Sequence, residues 1–236
     1  MKSKKNYQPT IILCKPQLDE NIGAVARAML NFDFHNLRII KKDWKPSKLS
    51  FDVSAKADKI LKNSKIFDNL EDAISDLQYI YATSNRKRIL PTKVINLKEG
   101  VKIINNYRNC KIGILFGPEK SGLSNEHISL CDKLIEIPLN KNFKSLNLAQ
   151  SVLLVVYELF NLKPKRSTVV NNKKAKKKEL IIFFKVLESY LDNANFFNIK
   201  EKKRIMMNNI KAISNKAELN EKEIKIILGI VKNLTK

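Results

Sequence analysis

Asn21 and Arg27 are the first residues along the chain whose types and spacing suggest chemistry. They lie in the segment NIGAVARAMLNF, which ends at Phe32 and has small and apolar residues at helical spacing. A helix N-terminus offers free N–H groups and the positive end of the helix dipole, which suits phosphate, and Asn21 is predicted to cap this helix. Arg27 lies among alanines, where an arginine usually has an anionic partner. An amphipathic helix with one solvent-facing arginine explains the pattern equally well.

A glycine-containing loop, FGPEKSGL from Phe116 to Leu123, follows the clearest strand pattern in the chain. Two glycines and a proline at the carboxyl end of a strand let a ligand approach the backbone, and open parallel sheets bind ligands at that edge. The loop is neither a dinucleotide-binding GxGxxG nor a Walker loop, because the Lys-Ser/Thr pair after the second glycine is missing. An ordinary strand-to-helix turn is the alternative.

A third polar segment, KSLNLAQ from Lys144 to Gln150, follows a short strand pattern that ends at Ile137. A helix is predicted to begin between Ser145 and Asn147. Taken alone, the pattern favours Ser145 as the N-cap of that helix over a role in ligand binding.

The elements that must position these residues alternate between strands and helices. Strands are predicted at Pro9–Cys14, Leu37–Ile40, Gln78–Ala82, Lys111–Phe116 and Lys133–Ile137. Helices are predicted at Asn21–Phe32, Val53–Leu61, Leu70–Leu77, Leu97–Asn106 and Leu148–Asn161. This alternation predicts an α/β fold with a mostly parallel sheet that is covered by helices on both faces.

The last third of the chain has a different composition. Residues 162–236 contain 19 basic and 7 acidic residues, whereas residues 1–161 contain 26 and 16. The change falls at LKPKRSTVVNNKKAKKK, residues 162–178, which is typical of a flexible basic linker. Three helical patterns follow, at Glu179–Leu191, Lys200–Ile213 and Glu221–Leu234. We therefore predict a domain over 1–161, a basic linker over 162–178 and a small all-helical C-terminal extension over 179–236.

Composition and charge narrow the class of protein. The chain has 236 residues, 44% of them apolar, and a formal net charge of +22. The apolar content argues against disorder, and no apolar run approaches the ~18 residues of a membrane span. Three scattered cysteines and two histidines argue against a disulfide framework or a metal site and favour a reducing cytoplasm. The charge favours a polyanionic partner, with nucleic acid first, an anionic membrane surface second, and compositional drift toward lysine as the alternative.

Taken together, the three segments resemble the ordered motifs of the SpoU/TrmH branch of the SPOUT RNA methyltransferases. The motifs are NIGAVARAMLNF, ILFGPEKSGL and IPLNKNFKSLNLAQSVLLVVYEL, and the likeness covers Thr10 to Phe160. The loop TSNRKR, from Thr83 to Arg88, and the helical extension resemble those of the TrmJ-like group of that family. The run Lys173–Lys178 has no counterpart in the family pattern.

The resemblance implies a fold and a cofactor. The sheet is expected to end in a deep trefoil knot, the protein to be a homodimer, and S-adenosylmethionine to bind in the knot. The apolar side chains of Ile137 and Leu146 are expected to flank the adenine. The whole set of expected cofactor-binding residues is Thr83, Ser84, Asn85, Gly117, Ile137, Ser145, Leu146 and Asn147.

The resemblance also assigns the catalytic residues, which are Arg27, Asn21, Glu119, Ser145 and Asn147. A guanidinium is a poor base, so we expect Arg27 mainly to hold the target phosphate and to stabilise negative charge developing on a ribose 2′-oxygen. Asn21 is expected to position Arg27 or the ribose. Glu119 and Asn147 are expected to hold the loops and the arginine that the other subunit contributes.

The implied function is S-adenosylmethionine-dependent methylation of the ribose 2′-hydroxyl of a pyrimidine, at the first position of the tRNA anticodon loop. Arg86, Lys87 and Arg88, with the linker lysines, are the candidates for phosphate contacts to tRNA, which predicts a steep salt dependence of binding. Two alternatives stay open: methylation of ribosomal RNA, and a non-catalytic RNA-binding protein on the same scaffold. Neither a membrane nor a metal is expected as a partner.

Overall fold

The computed structural model describes residues 8–86, 90–107, 109–162, 174–197 and 199–234, without the side chains of Lys200 and Glu201. Its strands are β1 (Thr10–Cys14), β2 (Leu37–Ile40), β3 (Lys65–Phe67), β4 (Tyr79–Thr83), β5 (Lys93–Asn96), β6 (Ile112–Phe116) and β7 (Lys133–Glu136). Its helices are α1 (Asp19–Asn31), α2 (Lys48–Ser54), α3 (Asp58–Lys62), α4 (Leu70–Ile74), α5 (Leu97–Asn106), α6 (Asn125–Ser129), α7 (Leu148–Asn161), α8 (Lys177–Asn193), α9 (Lys200–Lys216) and α10 (Glu221–Leu234).

The strands form one sheet in the order β3-β2-β1-β6-β4-β7-β5, and every neighbouring pair is parallel. The central strands β1 (TIILC) and β6 (IGILF) are buried along their whole length. Such near-continuous apolar runs are typical of parallel strands that are covered on both faces. The predicted α/β fold with a mostly parallel sheet is confirmed.

Helices cover both faces of the sheet, and β1 shows how they are divided. Side chains alternate along a strand, so Ile11 and Leu13 pack into the core that includes apolar residues of α1, α5 and α7. Ile12 and Cys14 pack into the opposite core, with residues of α4, α6 and α8. The buried Leu180 and Phe183 of α8 belong to this second core, so the C-terminal segment shares the hydrophobic core of the sheet.

Several element boundaries differ from the predicted ones. The predicted helix Val53–Leu61 is broken, because Ala55 and Lys56 have left-handed backbone angles with φ of 48° and 75°. Three short elements were missed: the edge strands β3 and β5, and α6. β3 and β5 have three and four residues, most of them exposed or half-buried, so the apolar alternation that marks a strand is absent.

The predicted linker over 162–178 is wrong in its last part. α8 begins at Lys177, and Lys174, Ala175 and Lys177 are buried. The N–H of Lys177 donates to the carbonyl oxygen of Leu77 at 2.8 Å, which ties this segment to the end of the α4–β4 connection. The lysine pattern suggested solvation, but these lysines have partners inside the protein. Residues 163–173 of the predicted linker lie outside the described residues.

Candidate active site

A cleft of about 270 Å³ opens at the carboxyl ends of β6, β4 and β7, which are neighbours in the sheet. The loops that follow these three strands form its walls, together with the start of α7. The lining residues are Thr83, Ser84, Asn85, Arg86, Phe116, Gly117, Pro118, Glu119, Lys120, Gly122, Leu123, Ile137, Lys144, Ser145, Leu146, Leu148 and Ser151. This is the edge at which open parallel sheets bind ligands.

The loop after β6 turns back tightly on itself. A Cβ atom on Gly117 would lie 2.5 Å from the backbone nitrogen of Leu123, so a larger residue cannot be accommodated without moving the loop. The N–H of Gly122 donates to the carbonyl oxygen of Pro118 at 2.9 Å and closes the turn. Backbone atoms of this loop therefore form a cleft wall that a ligand can approach closely.

The loop after β4 is joined to both neighbouring strands. The hydroxyl of Thr83 donates to the carbonyl oxygen of Leu115 at 3.2 Å, and the N–H of Ser84 donates to that of Ile135 at 3.2 Å. The guanidinium of Arg86 donates through Nη2 to the carbonyl oxygen of Lys120 at 3.1 Å. Arg86 therefore bridges two cleft loops. Lys87 and Arg88, predicted as its partners in RNA binding, lie outside the described residues.

The loop after β7 leads into α7, and its cap differs from the predicted one. Asn147 is the N-cap, and its side-chain oxygen accepts from the N–H groups of Ala149 at 2.8 Å and Gln150 at 3.4 Å. Ser145 lies two residues before the cap and lines the cleft instead. The prediction of Ser145 as N-cap was wrong because the helix begins at Leu148, too far along the chain for Ser145 to reach.

Asn147 is also the end of a chain of side-chain hydrogen bonds beneath the cleft. Its Nδ2 donates to Oδ1 of Asn21 at 2.8 Å, and Nδ2 of Asn21 donates to Oε1 of Glu119 at 2.8 Å. Glu119 also accepts from the backbone N–H groups of Gln17 at 2.8 Å and Leu18 at 3.4 Å. All three motifs recognised in the sequence therefore meet in one hydrogen-bonded unit.

Glu119 is held in its ionised form by this arrangement. Partial burial alone would raise the pKa of the carboxyl group, but the hydrogen bonds from Asn21 and the backbone outweigh it, so the pKa lies below its usual value. Asn21 was predicted to cap α1, which is wrong. α1 begins at Asp19, and Asn21 is buried in its first turn, where its amide connects α7 to the glycine loop.

Arg27 lies apart from this unit. It is six residues beyond Asn21, about 9 Å along the axis of α1 and on another face of the helix. Its side chain is exposed and is not among the residues that line the cleft. Within the part of the chain that the structure describes, Arg27 makes no hydrogen bond or ion pair, so none of the described residues supplies the anionic partner expected for it.

The structure thus brings together most of the predicted cofactor-binding residues. Seven of the eight line the cleft, and Asn147 lies in the hydrogen-bonded unit beneath it. The lining residues that were not predicted are Phe116, Pro118, Lys120, Gly122, Leu123, Lys144, Leu148 and Ser151. All but Ser151 fall within the glycine loop or the KSLNLAQ segment, and Ser151 directly follows that segment, so extending each motif to its whole loop would have found them.

The cleft wall is basic. Arg86, Lys120 and Lys144 line it, and Glu119 is the acidic residue among the lining residues described. The carboxylate of Glu119 is already engaged in hydrogen bonds. The charge available to a ligand at this edge is therefore positive, which favours an anionic substrate.

Metal-binding clusters and membrane-spanning helices are both absent from the described residues. No group of three or more histidine, cysteine, aspartate or glutamate side chains is placed to hold a metal ion there. In the same ranges, no helix is both long and apolar enough to cross a membrane.

Comparison with known proteins gives consistent matches. Residues 8–157 match the model of the SpoU rRNA Methylase family. The chain is 30% identical over 228 residues to the tRNA (cytidine-2′-O-)-methyltransferase TrmJ of Methanocaldococcus jannaschii, covering 94% of this chain and 98% of that protein. It is 29% identical over 230 residues to the tRNA (cytidine/uridine-2′-O-)-methyltransferase TrmJ of Sodalis glossinidius, covering 95% and 90%. The crystal structure of TrmJ from Z. mobilis ZM4 superposes with a TM-score of 0.88 at 33% identity, covering 97% of this chain and 100% of that one.

Proposed function

The chain belongs to the SpoU rRNA methylase family, and from that premise we propose that it methylates the ribose 2′-hydroxyl of a pyrimidine in tRNA. The family predicted from the three motifs is confirmed, and the protein is an RNA methyltransferase. The observation that carries the choice of tRNA is the match over 94% of the chain, C-terminal helices included, to a tRNA 2′-O-methyltransferase. The target we infer is the pyrimidine at the first position of the anticodon loop.

The cleft fits S-adenosylmethionine, the methyl donor of this family. Ile137 is buried and Leu146 half-buried at its apolar side, where they can flank a flat adenine ring. The backbone around Gly117, and the side chains of Thr83 to Asn85, provide polar groups for its edge and ribose. When bound, the cofactor supplies a methyl group on a sulfonium, which is already a good leaving group. The protein therefore has to align the reacting atoms and stabilise the attacking oxygen.

Arg27 is proposed to bind the phosphate beside the target nucleotide and to stabilise negative charge on the 2′-oxygen. Its guanidinium stays protonated and is a poor base. Glu119 is a poor base too, because its carboxylate already accepts three hydrogen bonds and its pKa is lowered. The 2′-hydroxyl proton therefore passes to a phosphate oxygen or to water. Asn21, Ser145 and Asn147 are proposed to position the cleft loops around the ribose.

A homodimer explains how Arg27 reaches a cleft. Leu30 on α1 is 40% exposed, and Leu153, Tyr157 and Phe160 form a stripe on α7 with exposures of 37%, 47% and 59%. α1 and α7 pack side by side, so these residues form one apolar surface next to Arg27. Such a surface on a highly charged protein marks a protein interface. We propose that two copies pair through it and that Arg27 of each acts at the cleft of the other.

Further features come from the family and remain proposals for this chain. The loops after β6 and β7 are proposed to form the trefoil knot, since together with the β4 loop they enclose the cleft. The methyltransferase domain is proposed to span 1–161, with the C-terminal helices as an extension that follows it. Arg86, Lys87 and Arg88 are proposed to contact tRNA phosphates. A cytoplasmic location is proposed from the substrate and from three free, buried cysteines.

The direct test is a methyl-transfer assay with labelled S-adenosylmethionine on separate tRNA and ribosomal RNA pools, followed by nucleoside mapping. We expect label in tRNA, in 2′-O-methylcytidine or 2′-O-methyluridine. Label only in ribosomal RNA would establish the alternative substrate. Cofactor and RNA binding without transfer to either pool would establish a non-catalytic RNA-binding protein and overturn the proposed function.

A further inference from the structure

A buried cluster of charged side chains lies on the opposite edge of the sheet from the cleft. Asp132, just before β7, forms ion pairs with Lys174 and with Lys177, the latter at 3.0 Å. The side chains of all three residues are at most 2% exposed. Charged groups are almost never buried this completely unless they are paired, so the cluster has to be formed as a unit.

Each member of the cluster belongs to a different part of the fold. Asp132 also accepts from the backbone N–H of Ile80 in β4 at 2.6 Å. Lys177, the first residue of α8, donates to the side-chain oxygen of Asn215 in α9 at 2.5 Å. Asn215 in turn donates to the carbonyl oxygen of Ser129 in α6 at 2.8 Å. The cluster thus connects the two strands β4 and β7 with the two helices α8 and α9.

The segment that contains Lys174 makes a second set of contacts, with β4 and with the α9–α10 connection. Its ammonium lies 4.1 Å from the centre of the Tyr79 ring at the start of β4, within cation–π distance. The hydroxyl of Tyr79 donates to Glu218, just beyond α9, at 3.1 Å. The neighbouring Ala175 donates its N–H to the carbonyl oxygen of Leu219 at 3.0 Å. The segment before α8 is therefore fixed to the sheet on one side and to the α9–α10 connection on the other.

Two ammonium groups share one carboxylate in this cluster. Burial lowers the pKa of Lys177 to about 8, although Asp132 opposes the shift. The pKa of Asp132 lies below its usual value, because the attraction of Lys174 and Lys177 outweighs the effect of burial. Removing Asp132 would take the shared carboxylate away from two buried cations, whereas removing Lys177 would leave Asp132 and Lys174 as a balanced pair. Substitution of Asp132 therefore disturbs the charge balance of the cluster, whereas substitution of Lys177 removes its link to α9 and leaves the charges balanced.

The position of the cluster relates it to the cleft. Asp132 and Ile80 lie at the amino ends of β7 and β4, and the cleft residues Thr83 and Ile137 lie at the carboxyl ends of the same two strands. Each strand is four or five residues long, so about 15 Å of rigid backbone separates the two sites. Helices fixed at one end of these strands keep a constant orientation relative to the cleft at the other end.

We propose that RNA binds along the C-terminal helices, since residues 162–236 contain 19 basic and 7 acidic residues, and that Asp132 and Lys177 are positioning residues for it. With Lys174 and Asn215 they hold α8 and α9 in one orientation on β4 and β7, so that the target nucleotide of the bound RNA is aligned with the cleft. The proposal rests on the proposed function for its RNA substrate. It gives a role to the buried lysines of the Lys173–Lys178 run that is distinct from RNA contact.

The primary variant is Lys177→Met, which removes the link to Asn215 while leaving Asp132 paired with Lys174. Asp132→Asn is the second variant, and Lys98→Met, at an exposed position of α5, is the matched control. Each variant is made in the full chain. Its readouts are the hydrogen exchange of α8 and α9, the affinities for the cofactor and for RNA, and the kinetic constants KM and kcat. The RNA is the one that the wild-type protein methylates, or tRNA if it methylates none.

For Lys177→Met we expect faster exchange in α8 and α9 and a roughly tenfold rise in KM and Kd for RNA, because a loosened helix pair presents the RNA out of register. The kcat and the affinity for S-adenosylmethionine should stay within about twofold of wild type. Asp132→Asn should move the same quantities further, and Lys98→Met should move none. Unchanged RNA affinity and KM despite faster exchange would overturn the positioning role, and so would unchanged exchange. Absence of methylation by the wild-type protein would refute the proposed function, while exchange and RNA affinity would still decide on the cluster.

Discussion

Arg27 is the residue proposed to stabilise the transition state, although it lies outside the cleft of its own chain. Arg27→Ala should lower kcat by at least ~100-fold, because the guanidinium proposed to stabilise negative charge on the 2′-oxygen in the transition state is lost. Cofactor affinity should be nearly unchanged, since Arg27 does not line the cleft of its own chain and is proposed to contact the RNA, not the cofactor, at the cleft of the other subunit. Transfer kinetics and cofactor titration measure the two effects. Arg27→Lys keeps the charge without the planar fork and should be intermediate. An equal fall in cofactor affinity and turnover for Arg27→Ala would contradict the role.

Gly117 offers a test of the cleft wall with an internal control. A Cβ atom at Gly117 would lie 2.5 Å from the backbone of Leu123, whereas nothing lies within 4 Å of one at Gly229 in α10. Gly117→Ala should therefore displace the loop and weaken cofactor binding by roughly tenfold or more, as overpacking distorts the site. Gly229→Ala should leave binding unchanged and stabilise the protein by about 0.5–1 kcal/mol. Calorimetric titration and thermal unfolding measure both, and normal cofactor binding by Gly117→Ala would refute the close packing.

At the scale of single residues, the sequence predicted which polar residues belong to the site, but it did not predict their contacts. Asn21 and Ser145 were assigned as helix caps because their residue types suit that position. The structure instead places Asn21 inside α1, bonded to Glu119 and Asn147, which are 98 and 126 residues away in sequence. Local sequence contains no information about such partners. The family motifs identified the residues, and only the fold shows how they are joined.

At the scale of elements, Glu119 holds the glycine loop against α1, and this contact should depend on pH. The folded-state pKa of Glu119 is below its usual value, so its contribution to the unfolding free energy is fully present above the unfolded-state pKa of about 4.3. The contribution is lost as pH falls through the folded-state pKa. The stability difference between wild type and Glu119→Gln should therefore be constant near neutrality and shrink in acid.

Chemical denaturation at a series of pH values measures this difference. Glu20→Gln, at an exposed position of α1, is the matched control and should not show the same pH-dependent loss. A difference that grows as the pH is lowered would have the wrong sign for a carboxylate stabilised in its ionised form. That result would show that Glu119 does not hold the loop as an anion.

The sequence pattern predicted best the elements that carry a continuous apolar signal. β2, α5, α7 and α10 have the predicted bounds, since a long apolar stripe or an unbroken apolar run marks each of them. The edge strands β3 and β5 were missed because little of their surface is buried. The lysines before α8 were predicted to be exposed, because a lysine run is usually solvated. Two of them, Lys174 and Lys177, are instead buried and paired with Asp132, a carboxylate distant in sequence.

For the whole molecule, the net charge of +22 selected the class of partner without locating its site. The structure shows that the basic residues lie in different environments. Arg86, Lys120 and Lys144 line the cleft, while Lys174 and Lys177 are buried and unavailable to RNA. Composition does not distinguish these environments, because burial of a lysine depends on a partner that only the folded chain supplies.

The proposed sharing of each site between two subunits predicts how mixed dimers will behave. At a subsaturating concentration of S-adenosylmethionine, Arg27→Ala and Gly117→Ala should each be strongly impaired alone, but refolding or coexpressing them together should restore about a quarter of wild-type activity. Random pairing makes half of the dimers mixed, and one of the two sites in each is intact. Transfer assays on the mixture measure this recovery. Activity no greater than that of the separate variants would mean that Arg27 acts within its own chain.

The most direct test of the account is methyl transfer to two versions of one tRNA that differ at a single atom. One version has ribose at the first pyrimidine of the anticodon loop, and the other has 2′-deoxyribose there. We predict transfer of one methyl group to the ribose version and none to the deoxy version, with both bound equally well. Equal transfer to both versions would show that the 2′-hydroxyl at this position is not the acceptor, and would contradict the proposed function.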